Sequence, residues 1–333
     1  MLTKVVRFHE FGGPEVLRFE SLEVGDPGAG EVRVRIEAIG LNRAEAAFRS
    51  GRYIEKAQLP ARVGYEAAGI IEAVGEGVKG FSVGEQICVM PAFSMNRYGV
   101  YAERAIVPAS ALLKRPAGLG IKESASIWMQ YLTAYGALID ISQIGAGDAV
   151  IITAASSSVG IAAIQIVNHV GAMPIAVTRT AAKEAALRKA GAAHVVITER
   201  QNLEAEVLRI TGSKGAKVAF DPIGGPIVAS LAAAMAPGGW LILYGNLSGQ
   251  AQNTIFPFGP SAMKGFCMRG YLVFEIIHDS KRFERARNFV EEGLREGWLA
   301  PVIAKTFPFD QIVEAHRYLE ANEQIGKVVV TVP

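Results

Sequence analysis

The residues best suited to chemistry sit in two short stretches, TAASSSVG at 153–160 and TRTAAK at 178–183. The first follows a β-prone apolar run, AVII, and opens a segment with helical periodicity. Where a strand turns into a helix N-terminus, unbonded backbone N–H groups and the positive end of the helix dipole meet. Such a turn suits an anion. Glycines usually line it, because side chains would block a pyrophosphate. Here Ala154, Ala155, Ser156, Ser157 and Ser158 are all small, Val159 follows, and Gly160 is kept for close packing of helix on strand. Serine hydroxyls can donate to phosphate and can cap a helix. Ser157, Ser158, Val159 and Gly160 are therefore expected to hold a pyrophosphate, provided that no serine needs a positive φ. The competing reading is that Ser157 only caps a core helix.

The second stretch selects the nucleotide. An NAD site usually has Asp or Glu at the end of the second strand, about 20 residues beyond the turn, to accept from the ribose hydroxyls. This chain reads Val177-Thr178-Arg179-Thr180 there, with Lys183 one turn later. The carboxylate is replaced by two cations, which favour a 2′-phosphate. Thr178, Arg179 and Lys183 are assigned to it, and NADP(H) is the expected cofactor. Against this, Arg179 and Lys183 could be ordinary solvated charges, and Glu199 and Arg200 follow the third strand.

The elements that must position these residues can be read from periodicity. From about residue 124 a helix (ESASIWMQYLTAYGALI) leads into AVIITA. Strands and helices then alternate through PIAVT, AAKEAALRKAG, HVVI, a helix from Asn202, KVAFD, a helix from Pro226, WLILYG and GFCMRGYLV. Gly171 and Gly191 read as helix stops. Apolar strands between amphipathic helices predict a parallel, doubly wound sheet buried on both faces. The first third is different, with short strands (KVVRF, EVRVRIEAIG, GIIEAVG, EQICVM) broken by Gly and Pro. After about 275 come a long helix, a strand, a helix and KVVVTV, without parallel alternation, expected to pack back on the first third.

Composition narrows the function. The 333 residues are half hydrophobic with a net charge of +2, enough for sizeable cores and giving no sign of a nucleic-acid partner. No apolar run reaches the roughly 18 residues of a membrane span, and MLTKVVRFHEFGG is no signal peptide, so no membrane association is expected. Two distant cysteines, Cys88 and Cys267, read as small core residues of a cytoplasmic protein.

Further motifs carry a family resemblance. FHEFGGPEVL near the start, LNRAEAAFRSGRY (Asn42, Glu45, Arg49, Gly51, Tyr53), Pro60 with GYEAAGIIEAVGEGV, YAE at 101–103, LTAYGAL at 132–138 and GKVVV at 326–330 occur in order. Together they make the chain similar, over nearly its full length, to the medium-chain dehydrogenase/reductases, and within them to the zinc-free quinone oxidoreductase (ζ-crystallin-like) branch. The resemblance implies a Rossmann domain, residues 124–274, inserted into a GroES-like β-barrel catalytic domain, residues 1–123 plus 275–333, with the active site in the cleft. Family members are usually dimers or tetramers, so a homodimer or homotetramer is expected.

Zinc enzymes of that superfamily hold the metal with Cys, His and Cys or Asp. The matching positions here are Asn42, Tyr65 (in GYE) and Met129, all poor zinc ligands, so no metal is expected. The cysteine-rich structural lobe is replaced by PAFSMNRYG, which has no cysteine. The five histidines show no ligand spacing. Without a Lewis acid to polarise a simple carbonyl, the acceptors that remain are those that delocalise developing charge, quinones and conjugated enones or enals. Tyr65, where the metal ligand would be, is a candidate donor to a substrate oxygen. By resemblance, Asn42 and Tyr53 line the nicotinamide end. Gln130 and Thr133 are assigned to the nicotinamide ribose and amide. Tyr244, Gly245 and Asn246, after the fifth strand, are placed at the edge where cofactors lie. Leu272, Val273 and Phe274, ending the next strand, are taken as a nicotinamide wall, and Lys327 as near the cleft. Arg49 is expected to pair with Glu45. Ala47 stands where the branch often has a tyrosine, implying a pocket of different width. The function expected is NADPH-dependent, zinc-independent hydride transfer to a quinone or similar conjugated carbonyl. Alternatives are an enoyl or alkenal reductase of the same fold and a non-catalytic NADPH-binding structural or regulatory protein.

Overall fold

A computed structural model describes residues 1–333. The chain divides into two compact units, Met1–Met129 with Pro301–Pro333, and Gln130–Ala300.

The first unit begins with β1 (Leu2–Phe8), β2 (Arg18–Glu23) and β3 (Glu31–Gly40). In β3 the side chains of Val32, Val34 and Ile36 are fully buried, while Glu31, Arg33 and Arg35 alternate with them. That period of two is what a half-buried antiparallel strand requires. There follow α1 (Arg43–Arg49), β4 (Ala61–Arg62), β5 (Glu66–Val74), β6 (Gln86–Val89), β7 (Arg104–Pro108), β8 (Leu112–Lys114) and the short α2 (Ile121–Ser124). Helix α3 (Trp128–Tyr135) then runs into a π-helical stretch, Gly136–Ile141. One continuous helix was expected here; the chain instead breaks between α2 and α3.

The second unit is a strand–helix alternation. Its elements are β9 (Ala149–Ile152), α4 (Ser158–His169), β10 (Met173–Thr178), α5 (Glu184–Lys189), β11 (His194–Ile197), α6 (Leu203–Ile210), β12 (Ala216–Asp221), α7 (Ile227–Ala233), β13 (Met235–Leu243), α8 (Phe258–Lys264) and β14 (Cys267–Gly270). They form a six-stranded sheet in the order β11-β10-β9-β12-β13-β14 with parallel pairings throughout. This is the doubly wound dinucleotide-binding order. All four residues of β9 are buried, as a strand covered on both faces must be. Gly171 adopts φ +73° just past α4, the left-handed stop read from the sequence. The unit ends with α9 (Phe274–Ile277) and α10 (Ser280–Glu296). These helices lie in the second unit, whereas the sequence reading assigned 275 onward to the other domain.

The chain returns to the first unit with β15 (Ile303–Pro308), α11 (Ile312–Glu320) and β16 (Lys327–Thr331). Strands β15 and β16 pair in parallel, with β16 antiparallel to β3. The tail therefore does contain one parallel strand–helix–strand step, which the sequence reading missed. The unit's larger sheet has seven strands, ordered β15-β16-β3-β5-β6-β8 with β7 also on β3, and a smaller sheet runs β2-β1-β4.

Three further expectations change. Strand β14 stops at Gly270, so Leu272 and Val273 lie beyond it and Phe274 opens α9. Cys88 is buried but Cys267 is exposed, because β14 is an edge strand. Arg49 is fully buried and pairs with Glu320 of α11, not with Glu45.

Candidate active site and cofactor site

In the second unit the turn after β9 adopts its shape without glycine. Ala154, not a serine, takes the positive φ, +45°. Its carbonyl accepts from Ser157 N–H at 2.9 Å. Ser157 is the N-cap of α4, and its hydroxyl oxygen accepts from Gly160 N–H at 3.1 Å. The oxygen therefore caps the helix, the local role weighed in the sequence reading. The amides of Ser158 and Val159, in the first turn of α4, have no intrahelical acceptor. A Cβ at Gly160 would lie 2.5 Å from the Ala155 carbonyl oxygen, so only glycine lets the helix approach the strand.

Behind the turn, Thr153 donates to the fully buried Asp221 at the end of β12. The other Asp221 oxygen accepts from Gly224 N–H at 2.7 Å. Burial raises the Asp221 carboxyl above its ordinary range. This carboxylate ties two strand ends together, a role that a strand ending in Asp did not reveal in sequence.

Lys183 Nζ donates to Ser156 Oγ at 2.9 Å, which brings the second cationic stretch onto the turn itself. Thr178 ends β10, and Arg179 beside it is exposed and makes no salt bridge. Tyr244 stacks on Phe220 with centroids 4.0 Å apart, and its buried phenol lies near Ser157. Burial pushes that phenol well above its ordinary pKa. At Gly245 a Cβ would stand 2.7 Å from the Pro222 carbonyl oxygen. Asn246 is occupied locally: it accepts from Ala251 N–H at 2.8 Å and donates to Gln252 at 3.2 Å. Gln130 is buried, and its carboxamide oxygen has no partner. Thr133 follows one turn later and is also buried. Leu272 is half exposed, Val273 buried, and Phe274 stacks on His278.

A dinucleotide fits these features. The cradle closes if Gly160 or Gly245 gains a Cβ, the first amides of α4 are open, and a buried carboxamide oxygen awaits a donor.

In the first unit Asn42, Tyr65 and Met129 are held by two buried carboxylates, Glu66 and Glu45. Glu66 accepts from Met129 N–H at 3.1 Å, from Asn42 Nδ2 at 3.4 Å and from Lys327 Nζ at 2.6 Å. Lys327 also donates to Asn42 Oδ1 at 2.6 Å. Lys327 and Glu66 are both fully buried, so Lys327, read from sequence as near the cleft, has protein partners for its ammonium. Glu45, also fully buried, accepts from Asn42 N–H at 2.6 Å and from Tyr65 N–H at 3.2 Å. Burial raises its carboxyl to about 7, against the pull of Lys327. The spacing Asn42-x-x-Glu45 is the capping-box signature, a signal the sequence carried but the sequence reading did not use. Gly64, at φ +110°, turns the chain into β5; a Cβ there would meet the Tyr101 ring at 2.3 Å.

Tyr65 is almost wholly buried, with its ring against Tyr53 (centroids 6.2 Å) and Phe93 (5.7 Å). Its phenol is hydrogen-bonded to that of Tyr53. Burial pushes the Tyr53 phenol up to about 12 and that of Tyr65 higher still. Both are neutral near pH 7 and act as hydrogen-bond donors rather than bases. Tyr53, on a loop, is the more exposed of the pair.

The donors at the metal-ligand positions do not suit zinc. An amide, a phenol and a thioether stand there, and the ammonium of Lys327 already occupies the amide oxygen. No group of three His, Cys, Asp or Glu side chains is arranged to hold a metal ion.

Comparison with known proteins gives the family. Residues 28–117 match the alcohol dehydrogenase GroES-like domain, and residues 158–292 match the model described as zinc-binding dehydrogenase. A 2-haloacrylate reductase from a Burkholderia species is 30% identical over 332 residues, covering 97% of each chain. Human quinone oxidoreductase is also 30% identical, over 99% of this chain and 98% of that one. The crystal structure of Escherichia coli quinone oxidoreductase complexed with NADPH superposes with a TM-score of 0.91 at 27% identity, covering 98% of this chain and 99% of that one. With these likenesses, a doubly wound unit and a GroES-like unit, the chain belongs to the medium-chain dehydrogenase/reductase superfamily, in its quinone oxidoreductase branch, and is an NADP(H)-binding oxidoreductase.

Proposed function

We propose that the protein reduces a conjugated carbonyl acceptor, a quinone or an activated enone, with NADPH and without zinc. The observation that carries this reading is the Lys327 ammonium, 2.6 Å from Asn42 Oδ1 and bonded to Glu66. A fixed positive charge among the ligand positions opposes a divalent cation there. An acceptor reduced without a Lewis acid must spread its own developing charge.

Each residue then has a task. The Ser158 and Val159 amides and the Ser157 hydroxyl take the pyrophosphate at the N-terminus of α4. Lys183 and Arg179 take the 2′-phosphate, as charge-assisted donors. Gln130 and Thr133 bind the nicotinamide ribose and carboxamide, and Tyr244 and Gly245 flank the cofactor. Bound NADPH supplies the hydride. Tyr53, backed by the Tyr65 phenol, donates a hydrogen bond to the acceptor oxygen, and Asn42, held by Lys327, orients the nicotinamide end. Glu45 fixes the backbone at Asn42 and Tyr65.

The 2-haloacrylate reductase likeness keeps alkene reduction as a specific second reading. There hydride adds at the β-carbon and a proton follows at the α-carbon, with Tyr53 as the candidate donor. The edge strand β14 is suited to pairing with a second copy in a homodimer or homotetramer. No helix is long and apolar enough to cross a membrane.

The deciding measurement is NADPH consumption by chelator-treated protein given a simple quinone or a simple enone, with products identified. Consumption with either supports the reading, and the product separates quinone from alkene reduction. NADPH binding without consumption of either acceptor indicates a site specific for a larger acceptor or a non-catalytic protein. Activity restored only by zinc overturns the assignment.

A further inference from the structure

We propose that Asn96 is a positioning residue for the acceptor side of the site: its carboxamide clips the segment 52–59, which carries Tyr53, and thereby sets which acceptors fit. The inference rests on the assignment of Tyr53 to the acceptor. It gives a role to PAFSMNRYG, the stretch that stands in place of a cysteine-rich lobe.

Residues 52–59 have no regular secondary structure. Arg52 N–H still bonds back to the Ala47 carbonyl at 2.8 Å, but beyond it the segment's backbone hydrogen bonds go to one side chain. Gln58 N–H donates to Asn96 Oδ1 at 2.7 Å. Asn96 Nδ2 donates to the Lys56 carbonyl at 3.0 Å and to Glu55 Oε1 at 2.9 Å. The oxygen and both amide hydrogens are thus committed to three residues of one short span, Glu55, Lys56 and Gln58. Ser94 reinforces the clip: its hydroxyl donates to Glu55, and its oxygen accepts from Asn96 N–H at 3.1 Å.

The loop that bears the clip is itself anchored. Phe93 packs on Tyr65 and Tyr98 with centroids 5.7 and 5.8 Å apart, and Tyr98 donates to Glu31 at 2.6 Å. Tyr53 touches the same aromatic row through Tyr65 and Phe48. One side of the contact is therefore rigid and the other is a loop with few bonds of its own, the kind of segment that opens locally at small cost. Releasing the clip frees Tyr53 from its register with Tyr65.

The test is Asn96→Ala in the full chain. Trypsin reads the segment directly, because Arg52 and Lys56 are exposed within it. We expect nicking after Lys56 to accelerate about tenfold, in proportion to the opened population. NADPH affinity should stay within twofold. Turnover should fall most for a small enone, so that the kcat/KM ratio of a two-ring quinone to that enone rises at least fivefold. Glu55→Gln is the second variant, with changes of the same sign but smaller, and it carries the test if Asn96→Ala does not fold. Unchanged nicking overturns the clip. Faster nicking with an unchanged acceptor ratio overturns its role in acceptor selection. If the unaltered protein reduces no acceptor, the functional reading fails and takes the selectivity claim with it, while proteolysis still decides the clip.

Discussion

Replacing Lys327 with methionine should be among the most damaging single changes in the first unit. The substitution keeps most of the stem and removes only the ammonium. It leaves Glu66 buried with its bonds to Met129 N–H and Asn42 Nδ2 but without its cation, and it frees Asn42 Oδ1 from a 2.6 Å bond. Breaking one side of a buried pair costs about 3–5 kcal/mol, since the remaining charge is uncompensated. With an unfolding entropy of about 2.1 cal/mol/K per residue, 333 residues give roughly 1.4 °C per kcal/mol, so the melting transition should fall by about 4–7 °C. The double variant Lys327→Met/Glu66→Gln removes both charges, and it should recover at least half of that loss. Urea unfolding followed by fluorescence, with both singles and the double, measures the coupling. A Lys327→Met protein within about 1 kcal/mol of the parent, the range of an exposed pair, would refute the reasoning.

Arg179→Ala should weaken NADPH by about 10- to 100-fold, the value of one or two charged hydrogen bonds, and leave NADH nearly unchanged; titration with each nucleotide checks this. Gly160→Ala should destabilise the protein by about 1–3 kcal/mol through the 2.5 Å clash with Ala155 and abolish tight NADPH binding, read by melting and by nucleotide titration. Buried groups impose opposing pH dependences, His316 in one sense and Glu45 in the other, with Asp221 acting in the same sense as Glu45. Burial lowers His316 to about 3 from the ordinary imidazole value of about 6.5, so the unfolded chain takes up a proton first as pH falls below about 6.5, and stability drops by up to about 1.4 kcal/mol per pH unit down to 3. Glu45, raised to about 7 from 4.5, acts in the opposite sense: the folded state keeps its proton longer, and stability falls as pH rises from 4.5 to 7. Their slopes oppose each other between 4.5 and 6.5, so His316→Gln should remove the acid limb and expose the Glu45 slope in denaturant titrations across pH.

The sequence was most legible where one local rule governs. Strands such as AVII and the glycines at helix ends announced the doubly wound unit, because burial on both faces and positive φ each demand particular residues. The turn at 153–160 was readable except for its strained position, which fell on Ala154, since only tertiary packing chooses which small residue bears it. The first unit was less legible. Lys327 and Glu66 are 261 residues apart, and no periodicity links them. Arg49 was expected to pair with Glu45, its neighbour in sequence, but burial beside α11 gave it Glu320 instead. Asn96 carried no motif at all; its role comes from a loop fold that neither alternation nor capping rules describe.

The order of strands in the larger sheet of the first unit has a consequence for synthesis. Strand β16 is the last of that unit's strands in the chain, yet it lies inside the sheet between β15 and β3. The second unit is contiguous and can complete its own sheet while emerging, since domains fold as units from the N-terminal side. The first unit cannot do so: β3 waits with an open edge, and Glu66 waits without its counterion, until Lys327 arrives. A nascent chain arrested before residue 327 therefore holds one finished unit and one that displays an unpaired strand edge and a carboxylate in an apolar setting. Such a chain is a natural client for chaperones and proteases, and the arrival of KVVVT marks the point at which the molecule ceases to be one.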